Sequence, residues 1–352
     1  MTRPPENRND RPTVLALVQT APGTLFVGWG PFTSRAERQP GRPAFYLNDF
    51  FLDDPEPWKH PETWEELSSA ELASRFNADG QTRISWASPE MSQFEGLFES
   101  AHQAIASGKF SKIVPVVFET GVSTNGTGGL HTHLLSRLAS IPESLLCYGW
   151  ISGDSGFVGA TPEILFAARG ETIETVAIAG TRPTGISAEL LLNQKERKEH
   201  DYVTTDIVER LDPYGKTRVE SIEVMELPTI SHLRTRIRLE PSNGSHLGFA
   251  QLVRILHPTA ALGVWPRNDE GQAWLRHADV TAARRTFGAP FGLEREDGTG
   301  ICLVAIRNVE WNERQLRIGA GSGIVAESAL EQEFEELRNK REQVKRLFGV
   351  SD

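Results

Sequence analysis

Cysteines and long apolar runs are scarce in this 352-residue sequence. The two cysteines, Cys147 and Cys302, lie within apolar segments, which argues against a disulfide scaffold and indicates buried, reduced thiols. No apolar stretch approaches the ~18 residues that span a membrane. The polar, proline-rich residues 1–12 lack the apolar core of a signal peptide and are expected to form a disordered tail. We therefore expect a cytoplasmic protein without a membrane partner.

Positive charge is also in short supply. The chain has 37 Lys and Arg against 47 Asp and Glu, for a net charge of −10. This balance argues against a nucleic-acid partner, because such proteins present a basic surface to phosphates. An acidic enzyme can still bind an anionic substrate if a few basic side chains, or a metal, line its site.

The order of the predicted elements indicates an α+β fold. Short apolar runs before residue 53 read as strands, and residues 53–67, rich in Pro, Trp and acids, read as a linker with a short helix. A helix is predicted over 95–107, closed by Gly108. Four further strands follow one another between residues 145 and 179. This order favours a mostly antiparallel sheet over a doubly wound βαβ fold.

Two predicted helices each carry a pair of acids at the start of an apolar stripe. Glu196 and Glu199 precede the stripe of helix 194–211, and Glu333 and Glu336 lie on one side of helix 331–349. One interpretation is a solvated face, on which Glu336 and Lys340 form an ordinary i,i+4 pair. The other is that each helix directs carboxylates inward, where they need a metal or another cation.

Several single residues are candidates for chemistry. Glu163 heads an apolar strand, and burial there would raise its pKa and suit it to act as an acid. Gly180 and Thr181 form a tight turn whose N–H groups could hold a carboxylate. Residues 319–325 form a second glycine-rich turn, which fails as a dinucleotide fingerprint.

Three basic residues have both a structural and a functional interpretation. Lys112 opens an apolar strand, either as an edge residue or, if it faces inward, as a general base. Arg307 lies within an apolar strand, which favours a buried anion as its partner. His257 follows an apolar run and could be structural or catalytic.

Together these segments resemble the chorismate-utilising enzymes, the family of isochorismate, anthranilate, aminodeoxychorismate and salicylate synthases. The matching motifs occur in the family's order over roughly residues 95–348: SKIVPV, GATPEILF, AIAGTRPTG, KERKEHDYV, LHPTAAL, RRTFGAPFG, AIRNV, GAGSGIV and EQEFEELRNK. The resemblance implies large antiparallel β-sheets in a sandwich core with helices packed outside. It also implies that residues 13–94 are the variable N-terminal part of this fold and residues 95–350 its catalytic region.

Three positions make isochorismate synthase the most similar branch. Lys112 matches the lysine that activates water in isochorismate and salicylate synthases, where ammonia-using members typically carry glutamine. Ala179 differs from the lysine nucleophile of aminodeoxychorismate synthases, and the segment beginning at His257 looks like isochorismate synthase. Salicylate synthase is the nearest alternative. Anthranilate synthase, which would need a partner subunit, and a non-catalytic relative are less favoured.

The resemblance also implies a set of roles. In the expected reaction Lys112 activates a water that adds at C2 of chorismate, and protonated Glu163 assists the departure of the C4 hydroxyl. Mg²⁺ would be held by Glu199 and Glu336, supported by Glu196 and Glu333. Substrate contacts are expected from the following residues: Gly180, Thr181, His257, Arg307, Gly321, Gly323 and Lys340. The product would feed menaquinone or siderophore synthesis, and the chain is expected to be a monomer or weak dimer.

The sequence departs from the family pattern at a few positions. Pro115 and Val117 replace Leu and Arg in the strand that follows Lys112, so this strand is expected at an edge or with a bulge. Val264 replaces a glycine, and Val280 replaces a glutamate. The proposed acid, base and metal positions are intact, so we expect an active enzyme.

Overall fold

The computed structural model describes residues 14–76, 83–123, 129–185, 187–228, 230–242, 247–279, 285–313 and 315–351. The predicted tail, residues 1–12, and the departure at Val280 lie outside these residues. Within them, no helix has both the length and the apolar character that a membrane span requires.

The described chain alternates groups of strands with single helices. The strands are β1 Val14–Ala21, β2 Thr24–Arg35, β3 Ala44–Leu47, β4 Trp58–Ser68, β5 Ile84–Ala87, β6 Lys112–Ile113, β7 Val116–Ser123, β8 Leu146–Ser152, β9 Ser155–Thr161, β10 Ile164–Arg169, β11 Thr172–Pro183, β12 Gly215–Val219, β13 Glu223–Glu226, β14 Ile230–Pro241, β15 Val264–Trp265, β16 Pro290–Glu294, β17 Gly300–Val304, β18 Asn308–Asn312 and β19 Gln315–Gly321. The helices are α1 Ser69–Ser74, α2 Met91–Ala106, α3 Leu130–Ser136, α4 Ser187–Leu190, α5 Gln194–Leu211, α6 Phe249–Leu256, α7 Asp269–Ala278 and α8 Leu330–Phe348.

Antiparallel pairing joins 17 of these strands into one continuous sheet. Neighbouring strands follow the order β5, β7, β19, β18, β9, β8, β1, β2, β4, β3, β16, β17, β10, β11, β14, and β12 and β13 both pair with β14. The remaining two, β6 and β15, pair with each other. The sheet therefore connects the N-terminal strands to those of the expected catalytic region.

The sheet folds over on itself to form a sandwich. The ring of Phe157 on β9 packs edge-on against that of Phe291 on β16, with centroids 5.3 Å apart, although these strands are distant in the pairing order. Alternate residues of β1 face different cores: Ala16 and Val18 point into the layer between the two halves, and Leu15 and Leu17 point outward. The expected α+β sandwich is confirmed, with its sheets joined by pairing into one.

Helices cover the outer faces of the sandwich. The stripe predicted for helix 194–211 is buried: Val203, Ile207 and Leu211 of α5 share a core with Ala177 of β11 and Ile237 of β14. The predicted helices 95–107 and 331–349 correspond to α2 and α8, and the C-terminal end of α8 packs into a second outer core with α1 and α3.

The structure differs from the sequence prediction at residues 53–67 and agrees with it at Pro115. The interpretation of residues 53–67 as a linker with a short helix was wrong. Trp58–Ser68 form β4, which pairs with β2 from one end to the other. The strand that begins at Lys112 is divided at Val114 and Pro115, as the missing N–H of proline predicts. This break separates β6 from β7 and lets β6 pair with β15 beside the site described below.

Candidate active site

A pocket lies where residues of several strands meet α5 and α8. It brings together most of the residues that the sequence nominated, although they are far apart in the chain. Its described lining consists of Pro162, Glu163, Ile178, Ala179, Gly180, Thr181, Glu199, His232, Ala261, Leu262, Phe287, Ile306, Arg307, Gly319, Ala320, Gly321, Gly323 and Lys340.

The four nominated helix acids face inward, so the interpretation as a solvated helix face was wrong. Asn193 caps α5 by accepting a hydrogen bond from the N–H of Glu196, which fixes the first turn against β11. Glu196 and Glu333 are 3% and 1% exposed, and Glu199 lines the pocket. Glu196, Glu333 and Glu336 line a neighbouring opening, and Thr181 lines both spaces.

These carboxylates repel one another. Burial raises the pKa of Glu196 to about 7, and the negative charges of Glu199 and Glu336 add to this effect against the opposing charge of Lys195. Burial and Glu336 likewise raise the pKa of Glu333. Burial also opposes the ionisation of Glu336, yet Lys340 and Lys195 together hold its pKa below the usual value. The ionised carboxylates therefore destabilise one another in this buried site unless positive charge balances them.

The chemistry of this cluster fits a hard divalent cation. Among the described residues no three acidic, His or Cys side chains are arranged as a preformed metal site, and lysines pair with three of the carboxylates. The buried, mutually repelling carboxylate oxygens are nevertheless the donors that Mg²⁺ prefers, and water and substrate oxygens can supply its remaining ligands. The residues present thus fit Mg²⁺ by donor type.

Lys112 lies directly behind the pocket wall. Its side chain is fully buried, and Nζ lies 3.1 Å from Oε1 of Glu199, although no hydrogen bond of good geometry reaches Nζ from the described residues. Gly323 separates Lys112 from the pocket: a Cβ at this position would collide with Glu199 and would lie 2.7 Å from Cε of Lys112. The missing side chain at Gly323 therefore leaves room between the lysine and the pocket.

Glu163 is an acid prepared for proton transfer. It follows β9 and precedes β10, and Val304 donates a backbone hydrogen bond to its carbonyl, 3.1 Å away. Burial raises the pKa of its carboxyl to about 7, against the opposing positive charges of Lys112, Lys340 and Arg307. Glu163 can therefore be protonated near neutral pH, as the sequence predicted from its place at the head of an apolar strand.

Arg307 offers a buried positive charge to the pocket. Its backbone has φ +57°, a region that favours glycine, and its side chain is 5% exposed. Its Nε is buried without a hydrogen-bond partner among the described residues, and burial lowers its pKa to about 10. A guanidinium held in this way suits a substrate carboxylate.

Sequence reasoning missed His232, which lies on β14. The Nε2 of His232 is 3.2 Å from Nη2 of Arg307, and its Nδ1 is 3.1 Å from Oγ1 of Thr181. Burial and Arg307 lower the pKa of His232 to about 3, so the ring is neutral. The strand pattern gave no signal for it, because His232 shares the alternating face of Arg234, Arg236 and Arg238, and its burial departs from that alternation.

The two glycine-containing segments position pocket groups in different ways. The prediction of a tight turn at Gly180 and Thr181 was wrong, because both residues lie within β11. Gly180 has φ +73° and lies at a register shift between β11 and β14, which directs the N–H of Thr181 to Oε2 of Glu196, 2.9 Å away. In the second segment the carbonyl of Gly321 accepts a hydrogen bond from Lys340, with Nζ 2.7 Å away. Both segments thus connect the pocket to the carboxylate cluster.

His257 lies elsewhere. It is not among the residues that line the pocket, and its Nε2 is 2.7 Å from the carbonyl oxygen of Phe50. Val264 is also placed outside the lining, on β15, where it pairs with Ile113. Val117 lies on β7 opposite Ala320 of β19. Ala320 lines the pocket, and Val117 does not.

Comparison with known proteins identifies the family. A model described as chorismate binding enzyme matches residues 54–349. The chain is 28% identical to isochorismate synthase EntC of Escherichia coli K12 over 307 residues, which are 82% of this chain and 77% of EntC. It is 29% identical to isochorismate synthase MenF of Pasteurella multocida over 259 residues, covering 69% of this chain and 58% of that protein.

Solved structures agree in fold. DhbC from Bacillus anthracis superposes with a TM-score of 0.80 at 22% identity, covering 96% of this chain and 97% of that one. MenF from Escherichia coli gives 0.79 at 20% identity, with 96% and 88% covered. The resemblance inferred from the sequence motifs is thereby confirmed, and the chain belongs to the family of chorismate-binding enzymes.

Proposed function

We propose that this chain is an isochorismate synthase, which converts chorismate to isochorismate by adding water at C2 as the C4 hydroxyl departs. The observation that carries the proposal is a pocket that Glu163 lines together with Arg307 and Glu199, with the buried Lys112 3.1 Å from Glu199. The curated relatives named isochorismate synthase support the same conclusion.

In the proposed reaction the two groups exchange protons with the substrate. Lys112 accepts a proton from a water molecule as the water oxygen bonds to C2. The ring double bonds shift, and Glu163 delivers its proton to the C4 hydroxyl, which leaves as water. One water is consumed and one released, so the overall change is an isomerisation. General acid and base each contribute ~10²–10⁴-fold to the rate.

Binding of the two substrate carboxylates divides between two sides of the pocket. We assign the enolpyruvyl carboxylate to Arg307, which lines the pocket. Its Nε has no hydrogen-bond partner, and no acid forms an ion pair with its guanidinium among the described residues. The ring carboxylate belongs on the side of Thr181 and Glu199, where the pocket adjoins the carboxylate cluster. Lys340 completes the lining between Gly321 and Glu336.

Glu199 and Glu336 are the residues we propose to hold Mg²⁺, with Glu196 and Glu333 beside them. When bound, the ion supplies positive charge that neutralises the cluster and attracts the ring carboxylate. The support for this role is the burial of Glu196 and Glu333, which together with repulsion from the neighbouring carboxylates raises their pKa values.

The test is to incubate the purified chain with chorismate, with Mg²⁺ or with a chelator, and to separate the products by HPLC. Isochorismate alone, formed only with Mg²⁺, is the expected result. Salicylate with pyruvate would reassign the chain to the salicylate synthases, and unchanged chorismate under both conditions would overturn the proposal. Lys112→Ala is the matched inactive control, and near-normal isochorismate formation by it would remove Lys112 from the base role.

A further inference from the structure

Lys195 is a basic residue of the carboxylate cluster to which the proposed reaction gives no task. Arg182 is another, but its side chain is 35% exposed and its Nε lies 3.5 Å from Oε1 of Glu196 alone. Three lysines pair with three of the acids at these distances: Lys112–Glu199 3.1 Å, Lys195–Glu333 2.7 Å and Lys340–Glu336 2.6 Å. Two of these lysines have substrate roles in the proposed function. Lys195 does not line the substrate pocket and lines the neighbouring opening instead.

The position of Lys195 is central to the acids. It lies in the first turn of α5, next to Glu196, and its Nζ is 3.7 Å from Oε1 of that residue as well as 2.7 Å from Oε1 of Glu333. Its charge also interacts with Glu199 and Glu336, so a single ammonium group interacts with all four carboxylates. Its side chain is 17% exposed, whereas those of Glu196 and Glu333 are 3% and 2% exposed.

Glu333 shows why a cation is needed here. Its second oxygen accepts a hydrogen bond from the hydroxyl of Ser322, a neutral donor, so Lys195 is the charged partner of this buried carboxylate. Leaving a buried carboxylate without a positive partner is strongly unfavourable. In a metal-free cluster Lys195 therefore balances the charge of Glu333, while Arg182 and Lys340 pair with Glu196 and Glu336.

We infer that Lys195 is a built-in counter-ion that stabilises the metal-free cluster and opposes entry of a divalent cation through the same opening. The inference rests on the proposed function, in which these acids hold Mg²⁺. An ammonium group and a divalent cation near the same oxygens repel each other, so each occupies the cluster at the expense of the other. Lys195 thus lowers the affinity of the cluster for Mg²⁺ and stabilises the cluster when Mg²⁺ is absent.

The experiment removes the charge and keeps a hydrogen-bond donor. Lys195→Gln can still donate to Glu333 but carries no charge, and Lys195→Arg keeps the charge. Lys198→Gln is the matched control, because Lys198 lies one turn later on α5 in an exposed pair with Glu327, 2.7 Å away. Isothermal titration of chelator-treated protein with MgCl₂ measures the affinity, and melting in EDTA measures the stability of the metal-free form.

Lys195→Gln is expected to bind Mg²⁺ at least about tenfold more tightly than the wild type, since one competing charge is gone. It should also melt at a lower temperature in EDTA and gain more from added Mg²⁺. Lys195→Arg and Lys198→Gln should match the wild type in Mg²⁺ affinity. A Lys195→Gln variant that folds only when Mg²⁺ is added would support the inference in a stronger form.

Two negative results are distinguishable. Wild-type protein that binds no Mg²⁺ would overturn the proposed metal and this inference with it. Wild-type protein that binds Mg²⁺, with unchanged or weaker affinity in Lys195→Gln, would overturn the role of Lys195 and leave the proposed isochorismate synthase activity untouched.

Discussion

The guanidinium of Arg307 and the imidazole of His232 are hydrogen-bonded side by side in the pocket, with Nη2 3.2 Å from Nε2. Because a guanidinium can only donate, Nε2 must accept and the proton must lie on Nδ1. That Nδ1–H faces the carbonyl of Gly180, 3.2 Å away, and the hydroxyl of Thr181. The neutral histidine thus connects the arginine to the opposite wall of the pocket.

Replacing His232 should weaken substrate binding through Arg307. In His232→Phe the guanidinium loses its acceptor and its fixed orientation, and a hydrogen bond to a charged group is worth about 1.5–3 kcal/mol. We therefore expect kcat/KM for chorismate to fall roughly 10- to 100-fold, mainly through a higher KM. Steady-state kinetics measure this, with His102→Phe as the control, because His102 lies on α2 outside the pocket lining. An unchanged KM would show that Arg307 does not need the histidine.

The protonation of Glu163 should set the alkaline limb of the pH profile. Because the pKa of its carboxyl is raised to about 7 and the proposed acid must be protonated, kcat/KM should fall about tenfold per pH unit above that value. Glu163→Gln should lower kcat by ~10²–10⁴-fold. Rates measured from about pH 6 to about pH 9 test this, and a flat profile would exclude Glu163 as the acid.

The same ionisation should be visible in folding. The pKa of Glu163 is about 7 in the folded chain and near 4.5 in the unfolded one. Between these values the folded state binds more protons, so the free energy of unfolding contributed by Glu163 falls as pH rises. Glu163→Gln lacks this loss. Its stability relative to wild type, measured by urea denaturation, should rise between about pH 4.5 and about pH 7 and then level off.

The helical part of the site was predictable because its signal is local. In α5 an apolar residue recurs every fourth position, and Glu199 continues that stripe one turn earlier, so the burial of the stripe implied that the acid is buried too. Glu163 was identified for a similar reason, since it directly precedes an apolar strand. The family motifs predicted which acids of the two helices meet. Neither the helical stripe nor the apolar strand could predict this alone.

The rest depended on long-range pairing that a single sequence does not reveal. β4 looked like a linker because its prolines and acids are unusual in strands, yet pairing with β2 along its length and the burial of Trp58 overcome that composition. His232 alternates with Arg234 and Arg236 along β14, so its burial at the pocket could not be predicted from alternation. Lys195 stands in the charged run KERKEH, where it resembles any solvated helix residue.

Gly323 should tolerate no side chain. An alanine Cβ would collide with the Glu199 carboxylate and crowd Cε of Lys112, so the pair held at 3.1 Å must separate. We expect Gly323→Ala to lose roughly 100-fold or more in kcat, because displacements of about 1 Å at a reacting group have that effect. Gly96→Ala is the control: Gly96 is exposed on α2 with open space around its Cα, and its variant should keep full activity.

Glu119 should be the most sensitive ion-pair residue outside the pocket. On β7 its carboxylate accepts from Lys345, 2.7 Å away, and from Arg341, 3.2 Å away, and all three side chains are buried. Burial opposes ionisation of Glu119, but Lys345 and the other donors hold its pKa below the usual value. Glu119, Arg341 and Lys345 together attach the C-terminal half of α8 to the sheet. Glu333 and Glu336 lie in the N-terminal half of the same helix.

Glu119→Gln leaves the buried Arg341 without its carboxylate partner and leaves Lys345 with only Glu342, 2.9 Å away, so the free energy of unfolding should fall by about 3–5 kcal/mol. The exposed i,i+3 pair of Glu335 and Arg338 on the same helix provides the control, since Glu335→Gln should cost less than about 1 kcal/mol. Because the pKa of Glu119 is lowered by folding, the difference between Glu119→Gln and wild type should be complete above its unfolded pKa and should shrink as pH falls through the folded value. Equal losses for the two variants in urea denaturation would mean that the buried group adds no more than a surface pair, and that α8 is held by its apolar residues alone.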